Sequence, residues 1–503
     1  MSSPQPYRSE QSGSAPENGV VSRHLTETFS RDTPSSAFVH FAALVAASGT
    51  FNWSYDIILM SGSILYLKSY FHIGQISVVI FSHVTSPSWI EGLTMTTGFL
   101  GTVAGMLVGG YLADRSGRRR TLRFAAIVMM LGAVGSALSN TLAVWGVLRF
   151  LGGVGGGLAL LVGPMYVAEL APPRNRGSLV TFNEMGIVLG AFFANLVCFA
   201  IAKLIGSSPD CWRWMFASGC FFILIFLAGL FFVPETPRWL MMKGRPNQAR
   251  TILTRVGGED YALDTLREIS QQTAEKTTKI REFLRPGIRM ATFISLGLGA
   301  LDQWVGVPTL ILYAPTLFVK AGVSSNANAI GNTVILRIGD IFWCLFAIFW
   351  VDRFGRRPLL LAGIIGIAVG QFLMGVCFLH NLDPTLILLT FFLCEAAFNA
   401  TLPPVGWLVA SEIFPTQFRA RGMAIHGSVR FGSSLVLVQV FPSMLNFFRK
   451  HFGVESGVFW FFSIVCLVGF AFSYFLVPET KGKTLEAISA GFRRSEAKAR
   501  HNP

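Results

Sequence analysis

Leu112–Arg120, LADRSGRRR, ends a long apolar run with one acid and four arginines around a single glycine. Val351–Pro358, VDRFGRRP, repeats it 238 positions later, counted from Asp114 to Asp352. Lys and Arg resist transfer across a bilayer and collect on the loops that stay in the cytoplasm. Both stretches therefore point to one side of a membrane. A connection of this kind used twice implies a chain built as two halves.

The composition agrees. A soluble domain carries about a quarter of its residues as charges. Here 14% of 503 residues are charged, 52% are apolar and the mean hydropathy is +0.53. The net charge of +14 raises the question of nucleic acid, but the basic residues sit in short connectors and tails. No basic face interleaved with aromatics forms, so no nucleic-acid partner is expected. The seven cysteines include no CxxC, and Cys198, Cys344, Cys377, Cys394 and Cys466 lie within apolar runs. They read as packing residues, with no disulfide framework, no metal site and no cofactor expected.

A spanning helix needs roughly 20 mostly apolar residues. Such runs lie near 38–66, 94–113, 121–140, 142–168, 178–203 and 212–233, then near 289–318, 327–351, 358–379, 384–411, 420–447 and 456–477. The fold class is thus an all-α membrane protein of twelve helices in two sets of six. The division expected is a disordered cytosolic tail at 1–37, a six-helix half at 38–233, a linker of short amphipathic helices at 234–288, a second half at 289–478 and a cytosolic tail at 479–503. An even number of spans places both termini in the cytosol.

More of the chain repeats. PMYVAELAPPRNRG (Pro164–Gly177) is answered by ASEIFPTQFRARG (Ala410–Gly422), and VPETPR (Val233–Arg238) by VPETKG (Val477–Gly482). Glu169 and Glu412 are 243 apart, Glu235 and Glu479 are 244 apart. Parallel repeats of this kind carry a site between the halves at mid-depth. Asp114, Arg118, Glu169, Arg176 and Glu235, with Asp352, Arg356, Glu412, Arg421 and Glu479, are candidates for ion pairs at helix ends that latch one conformation. The plainer reading is a loop clamp without a gating role.

With these six motifs in order over about Phe38–Ile488, the chain resembles a sugar porter of the major facilitator superfamily. The resemblance implies twelve helices, a cytosolic helical insert and transport by alternating access. Ionisable groups in hydrocarbon cost about 2.5–3.5 kcal/mol on insertion scales and default to functional candidates. Asp56, in NWSYDIILMSG, resembles the family's first-helix acid found where transport is proton-coupled. Arg149, in LRFLGGVGGG, matches the arginine that pairs with it, and protonating the acid would release the pair. The alternative is a permanent buried ion pair. Gly152, Gly153, Gly155, Gly156 and Gly157 follow no strand, which excludes a nucleotide loop and leaves close helix packing.

At the substrate positions that the resemblance implies, the chain departs from the family. Glu184 and Asp302 stand for Gln, Asp340 stands for Asn, and Pro308 stands for the Asn that ends the seventh-helix motif. Gln303 and Gly306 are retained, and Leu312 and Tyr313 replace paired aromatics. Trp407 matches the sugar-stacking tryptophan after Pro403-Pro404. Arg430 and Phe431 replace an amide followed by Trp. Amides both donate and accept, whereas a carboxylate only accepts. The acids must therefore be paired internally, with Arg337, Arg430 or His426 at hand, or select a cationic or strongly donating substrate. For Arg337, Glu395 and His426 the competing expectation is a packing or lateral position.

The expected function is a proton-coupled secondary transporter of a polar small molecule at the plasma membrane, a sugar, polyol or sugar acid first. Its partners are that substrate, protons and the lipid bilayer, with the chain acting as a monomer. The alternatives are a proton-driven exporter of a cationic or secondary metabolite and a nutrient sensor that has lost transport. No metal cluster, phosphate loop or nucleophile–base pair suggests an enzyme.

Overall fold

Residues 36–75, 79–80, 83–84, 86–172, 176–272, 282–283, 285, 288–414 and 416–481 are described by a computed structural model. Both expected tails fall almost wholly outside this range. The first half consists of α1 (Ser36–Tyr70), α2 (Pro87–Ser116), α3 (Arg118–Leu138), α4 (Leu142–Leu170), α5 (Arg176–Ile205) and α6 (Cys211–Phe232). A two-residue antiparallel ladder, Val79–Ile80 with His83–Val84, lies between α1 and α2. The linker carries α7 (Pro237–Met242) and α8 (Pro246–Gln272), the latter broken at Gly258, where φ is 86°.

The second half holds α9 (Arg289–Trp304), α10 (Val307–Lys320), α11 (Asn326–Phe354), α12 (Arg356–Leu379), α13 (Pro384–Asn399), α14 (Leu402–Ile413), α15 (Thr416–Phe452) and α16 (Gly457–Leu476). Two spans expected as single helices are therefore discontinuous. The seventh breaks at Gly306, in the left-handed region at φ 84°. The tenth breaks at Ala400-Thr401, just before Pro403-Pro404, which lack the N–H groups a helix interior needs. The second span starts seven residues before the expected 94, because Ser86 caps the Trp89 N–H and Pro87 sets the first turn.

Eleven helical segments are long and apolar enough to cross a membrane, counting α9–α10 and α13–α14 as one each. The exception is α1, with 35 residues and a polar middle. Its position explains how it is tolerated, since it packs on α4, α5 and α6 at the centre of the half. Thr50 Oγ1 donates to the Asn183 carbonyl at 3.1 Å, Ser54 Oγ to Ile187 at 2.6 Å and Asn52 Nδ2 to Phe222 at 3.3 Å. A polar stripe satisfied by neighbouring helices needs no water. Outward, large apolar residues such as Leu107, Leu138, Phe232 and Phe475 stand exposed, as on a face made for lipid.

Within the first half α2 and α4 approach closely. A Cβ at Gly101 would lie 2.1 Å from the Phe150 carbonyl, and one at Gly157 2.1 Å from that of Thr102. The glycine run therefore packs backbone on backbone. Between the halves, α1 meets α10, α5 meets α11 and α2 meets α15. Among the described residues, the hydrogen bonds across this seam lie toward the end opposite the arginine-rich turns. Thr96 Oγ1 donates to Gln439 Oε1 at 2.7 Å, Gln439 Nε2 to the Trp89 carbonyl at 3.0 Å, and Thr333 Oγ1 to Asn195 Oδ1 at 3.1 Å.

Candidate functional site

Asp56 sits midway along α1, and Arg149 reaches it from the second turn of α4. Arg149 Nη1 bonds the Asp56 carboxylate and Nη2 donates to the Asp56 carbonyl at 3.2 Å. The guanidinium also lies over the Phe216 ring at 5.1 Å and is held beside Gly98, where a Cβ would come within 3.0 Å of Nη2. Arg149 is buried, whereas the Asp56 side chain is 23% exposed. The acid is thus the partner with access to a proton.

On the second half's side of the seam, Arg430 on α15 donates through Nε to Asp302 Oδ2 at 2.6 Å, and Gln303 Nε2 donates to the same oxygen at 2.6 Å. The Arg430 guanidinium lies 5.7 Å from the centre of the Trp407 ring. Phe431 meets Trp53 of the opposite half edge-on at 5.8 Å. Glu184 is exposed on α5, with Arg430 and Asp302 its electrostatic neighbours. Glu184, Asp302, Gln303, Trp407, Arg430 and Phe431 therefore gather where the halves face each other.

Asp340 and Tyr313 are placed elsewhere. Asp340 is buried inside the second half, where Arg337 and Asn399 Nδ2 bond its two oxygens, and Arg337 also pairs with Glu395 on α13. Tyr313 is 1% exposed, donates to the Val438 carbonyl at 3.1 Å and stacks near Phe441. That sets it under the closed end of the seam, away from Asp302, and it does not join the cluster. Among the described residues His426 bonds no acid; its Nδ1 lies 2.8 Å from the Ser295 carbonyl and its ring packs against Trp407. The sequence leaves Glu395 open between a functional and a packing or lateral position and does not single out Asn399 as its neighbour in a cluster. The available signal was an acid and an amide four residues apart within one span.

At the arginine-rich ends the two halves build the same clamp. Arg118 Nη2 pairs with Asp114 at 3.1 Å and Glu169 at 3.0 Å, while Glu235 Oε1 accepts the backbone N–H groups of Arg118 and Arg119 at 2.8 and 3.1 Å. In the second half Arg356 Nη2 pairs with Glu412 at 3.1 Å, and Glu479 accepts the N–H groups of Arg356 and Arg357 at 3.1 and 3.0 Å. None of these contacts crosses from one half to the other. Among the described residues Arg421 pairs with no acid. The side chains of Arg176 and Asp352 lie outside the described residues.

Two six-helix halves around a charged seam, clamped alike at one end, define a secondary carrier of the major facilitator type. The family model "Sugar (and other) transporter" matches residues 42–492, and the chain belongs to that family. The D-xylose-proton symporter of Escherichia coli strain K12 is 33% identical over 480 residues, covering 91% of this chain and 96% of that protein. The arabinose-proton symporter of Bacillus subtilis strain 168 is 31% identical over 459 residues, covering 90% and 95%. The partially occluded inward-open structure of the E. coli xylose transporter superposes with a TM-score of 0.78 at 31% identity, covering 90% of this chain and all of that one.

Proposed function

We propose that the protein is a proton-coupled sugar transporter that carries its substrate through the seam between the halves by alternating access. Asp56 takes up the proton and Arg149 senses the loss of charge. The observation that carries this reading is the pair itself, a partly exposed carboxylate held by a buried guanidinium beside the seam. Protonation removes the attraction that holds α1 to α4 and so couples a proton to helix movement. The relatives that transport D-xylose and arabinose with protons support the same reading.

Gln303, Trp407 and Phe431 form the substrate wall, and Arg430 and Glu184 tune its selectivity. Asp302 is neutralised by Arg430 and Asp340 by Arg337, which leaves Glu184 as the carboxylate facing the seam. A neutral polyhydroxy compound that donates to Glu184 fits this balance better than a polycation. The protein acts as a monomer in the plasma membrane, with the arginine-rich turns and both termini in the cytosol. The seam is closed at the outer end, an inward-facing state.

The test is counterflow and gradient-driven uptake in proteoliposomes, with D-xylose, L-arabinose, sugar acids and amines as the panel. Asp56→Asn is expected to keep counterflow and lose accumulation driven by a proton gradient. Accumulation that survives in Asp56→Asn would remove the proton from this site. Exchange of amines alone would replace the sugar reading with the exporter reading.

A further inference from the structure

Arg337, Asp340, Glu395 and Asn399 form a closed polar cluster between α11 and α13, separate from the Asp56–Arg149 pair. Arg337, Asp340 and Glu395 are 4%, 6% and 1% exposed. The cluster holds two carboxyl groups and one guanidinium, so full ionisation leaves a net negative charge in a site that excludes water. Uncompensated buried charge is avoided by protonation. The donors say which carboxyl takes the proton. Asp340 accepts one bond at each oxygen, Oδ1 from Asn399 and Oδ2 from Arg337. Glu395 accepts only at Oε1, and Oε2 is buried with no hydrogen-bond partner. Asp340 is therefore the ion matched to Arg337, and Glu395 is the group whose charge nothing else answers.

No other charge faces Glu395 among the described residues. From α11 come Arg337 and Asp340. On α13 itself the Cys394 thiol is next in the chain, with the Cys466 thiol beside that cysteine. The other helices packed on α13 meet its remaining residues through uncharged groups, α12 through the Ile367 carbonyl and Gly370 at Cys394 and through Gly366 at Ala397, and α10 through Phe318 at Phe391. None supplies a second cation.

We propose that Glu395 is a second proton-binding site, in the C-terminal half, holding its proton in the inward-facing state. Release of that proton to water places two carboxylates on Arg337 and gives the cluster a net charge of −1. The α11–α13 contact then becomes a pH-sensitive joint within the half that pairs with the Asp56 half. The link to transport rests on the transporter reading, but the protonation itself does not.

Isotope-edited infrared spectroscopy of the reconstituted full-length protein tests it. The expected result at neutral pH is a protonated-carboxyl C=O band that shifts when glutamate is labelled with ¹³C and loses a component in Glu395→Gln. A spectrum in which Glu395→Gln removes no protonated-carboxyl component overturns the proposal. A band that shifts only with labelled aspartate also overturns it, by moving the proton to Asp340. If Glu395→Gln does not fold, labelled Glu184→Gln decides, since it removes the carboxyl exposed at the seam, which forms no ion pair among the described residues. A glutamate band that survives there supports the site, and its loss overturns it.

Discussion

Asp302 and Arg430 stand 128 positions apart, and the two departures from the pattern that the resemblance implies meet in one ion pair. Asp302 is 4% exposed, so removing its partner strands a buried charge. Breaking such a pair costs about 3–5 kcal/mol, less here because the Arg430 side chain is 20% exposed. Arg430→Ala is therefore expected to lower the melting temperature markedly, and Asp302→Gln in the same chain to restore most of it. A melting series on the two single variants and the double variant measures the coupling, and additive losses would refute it. The residues of the site were legible in the sequence as intramembrane charges. Their partners were legible only where spacing helped. Arg337 and Asp340 lie three apart on one helix and could be paired at sight. Arg430 with Asp302, and Arg337 with Glu395, meet only after packing, and nothing local distinguishes the Tyr313 that is buried from one facing the seam.

At the scale of elements, each clamp depends on a glycine that ends one helix and starts the next. Gly117 has φ 97° and ψ 156°, Gly355 φ 90° and ψ 160°, a region open essentially to glycine alone. A Cβ would also lie 2.4 Å from Glu235 Oε2 at the first and 2.9 Å from Glu479 Oε2 at the second. Alanine at either position is expected to cost about 1–3 kcal/mol in backbone strain, with the larger loss at Gly117, where the carboxylate must also move. Thermal unfolding of the two variants checks the order. The clamp also has a pH signature. Partial burial pushes the Glu479 carboxyl up, but the N–H groups of Lys481, Arg357, Arg356 and Thr480 outweigh it and hold it below the usual carboxylate range. A depressed folded value means that the stabilisation is complete above the ordinary glutamate range and disappears as pH falls through the folded value. Glu479→Gln is thus expected to melt lower than the parent at neutral pH and alike in strong acid. A gap that persists in acid would show that shape, not charge, is what the clamp uses. These turns were readable because glycine, acid and arginines are contiguous. The breaks at Gly306 and Thr401 were not, since the apolar runs continue through both, hydropathy carries no record of φ at Gly306, and proline alone marks no break, Pro164 and Pro442 lying inside continuous helices.

For the whole molecule, the seam contacts decide which end is open. The first helix escaped the apolarity rule because its polar stripe is answered from other helices, and for the same reason the state of the carrier is written in cross-half contacts that no single span reveals. Gln439 is the strongest of these, bonding Thr96 and the Trp89 carbonyl at once. Gly92 allows it, since a Cβ there would lie 2.1 Å from the Gln439 carbonyl oxygen. Beside them is a cavity of 260 Å³ lined by Lys68, Glu91, Tyr313, Lys320 and Asn446, among others. The ion pairs Lys68–Glu91 and Lys320–Glu455 at its walls each stay within one half, so they shape the vestibule without locking it. Two hydrogen bonds of about 0.5–1.5 kcal/mol each are lost in Gln439→Ala. A loss near 2 kcal/mol shifts the balance toward the outward-facing state by roughly 30-fold. Gly92→Ala acts in the same direction by steric exclusion, with no hydrogen bond removed. A cysteine at Thr316, a buried residue in the wall of this cavity, reports the change, because an impermeant maleimide added outside reaches it only when the outer end parts. Faster labelling in both variants, slowed again when the proton gradient is collapsed in the Asp56 parent but not in Asp56→Asn, ties the outer latch to the proton site. Labelling that is unchanged in both would mean that the seam is held by its apolar contacts, and that Gln439 merely fills a polar gap in them.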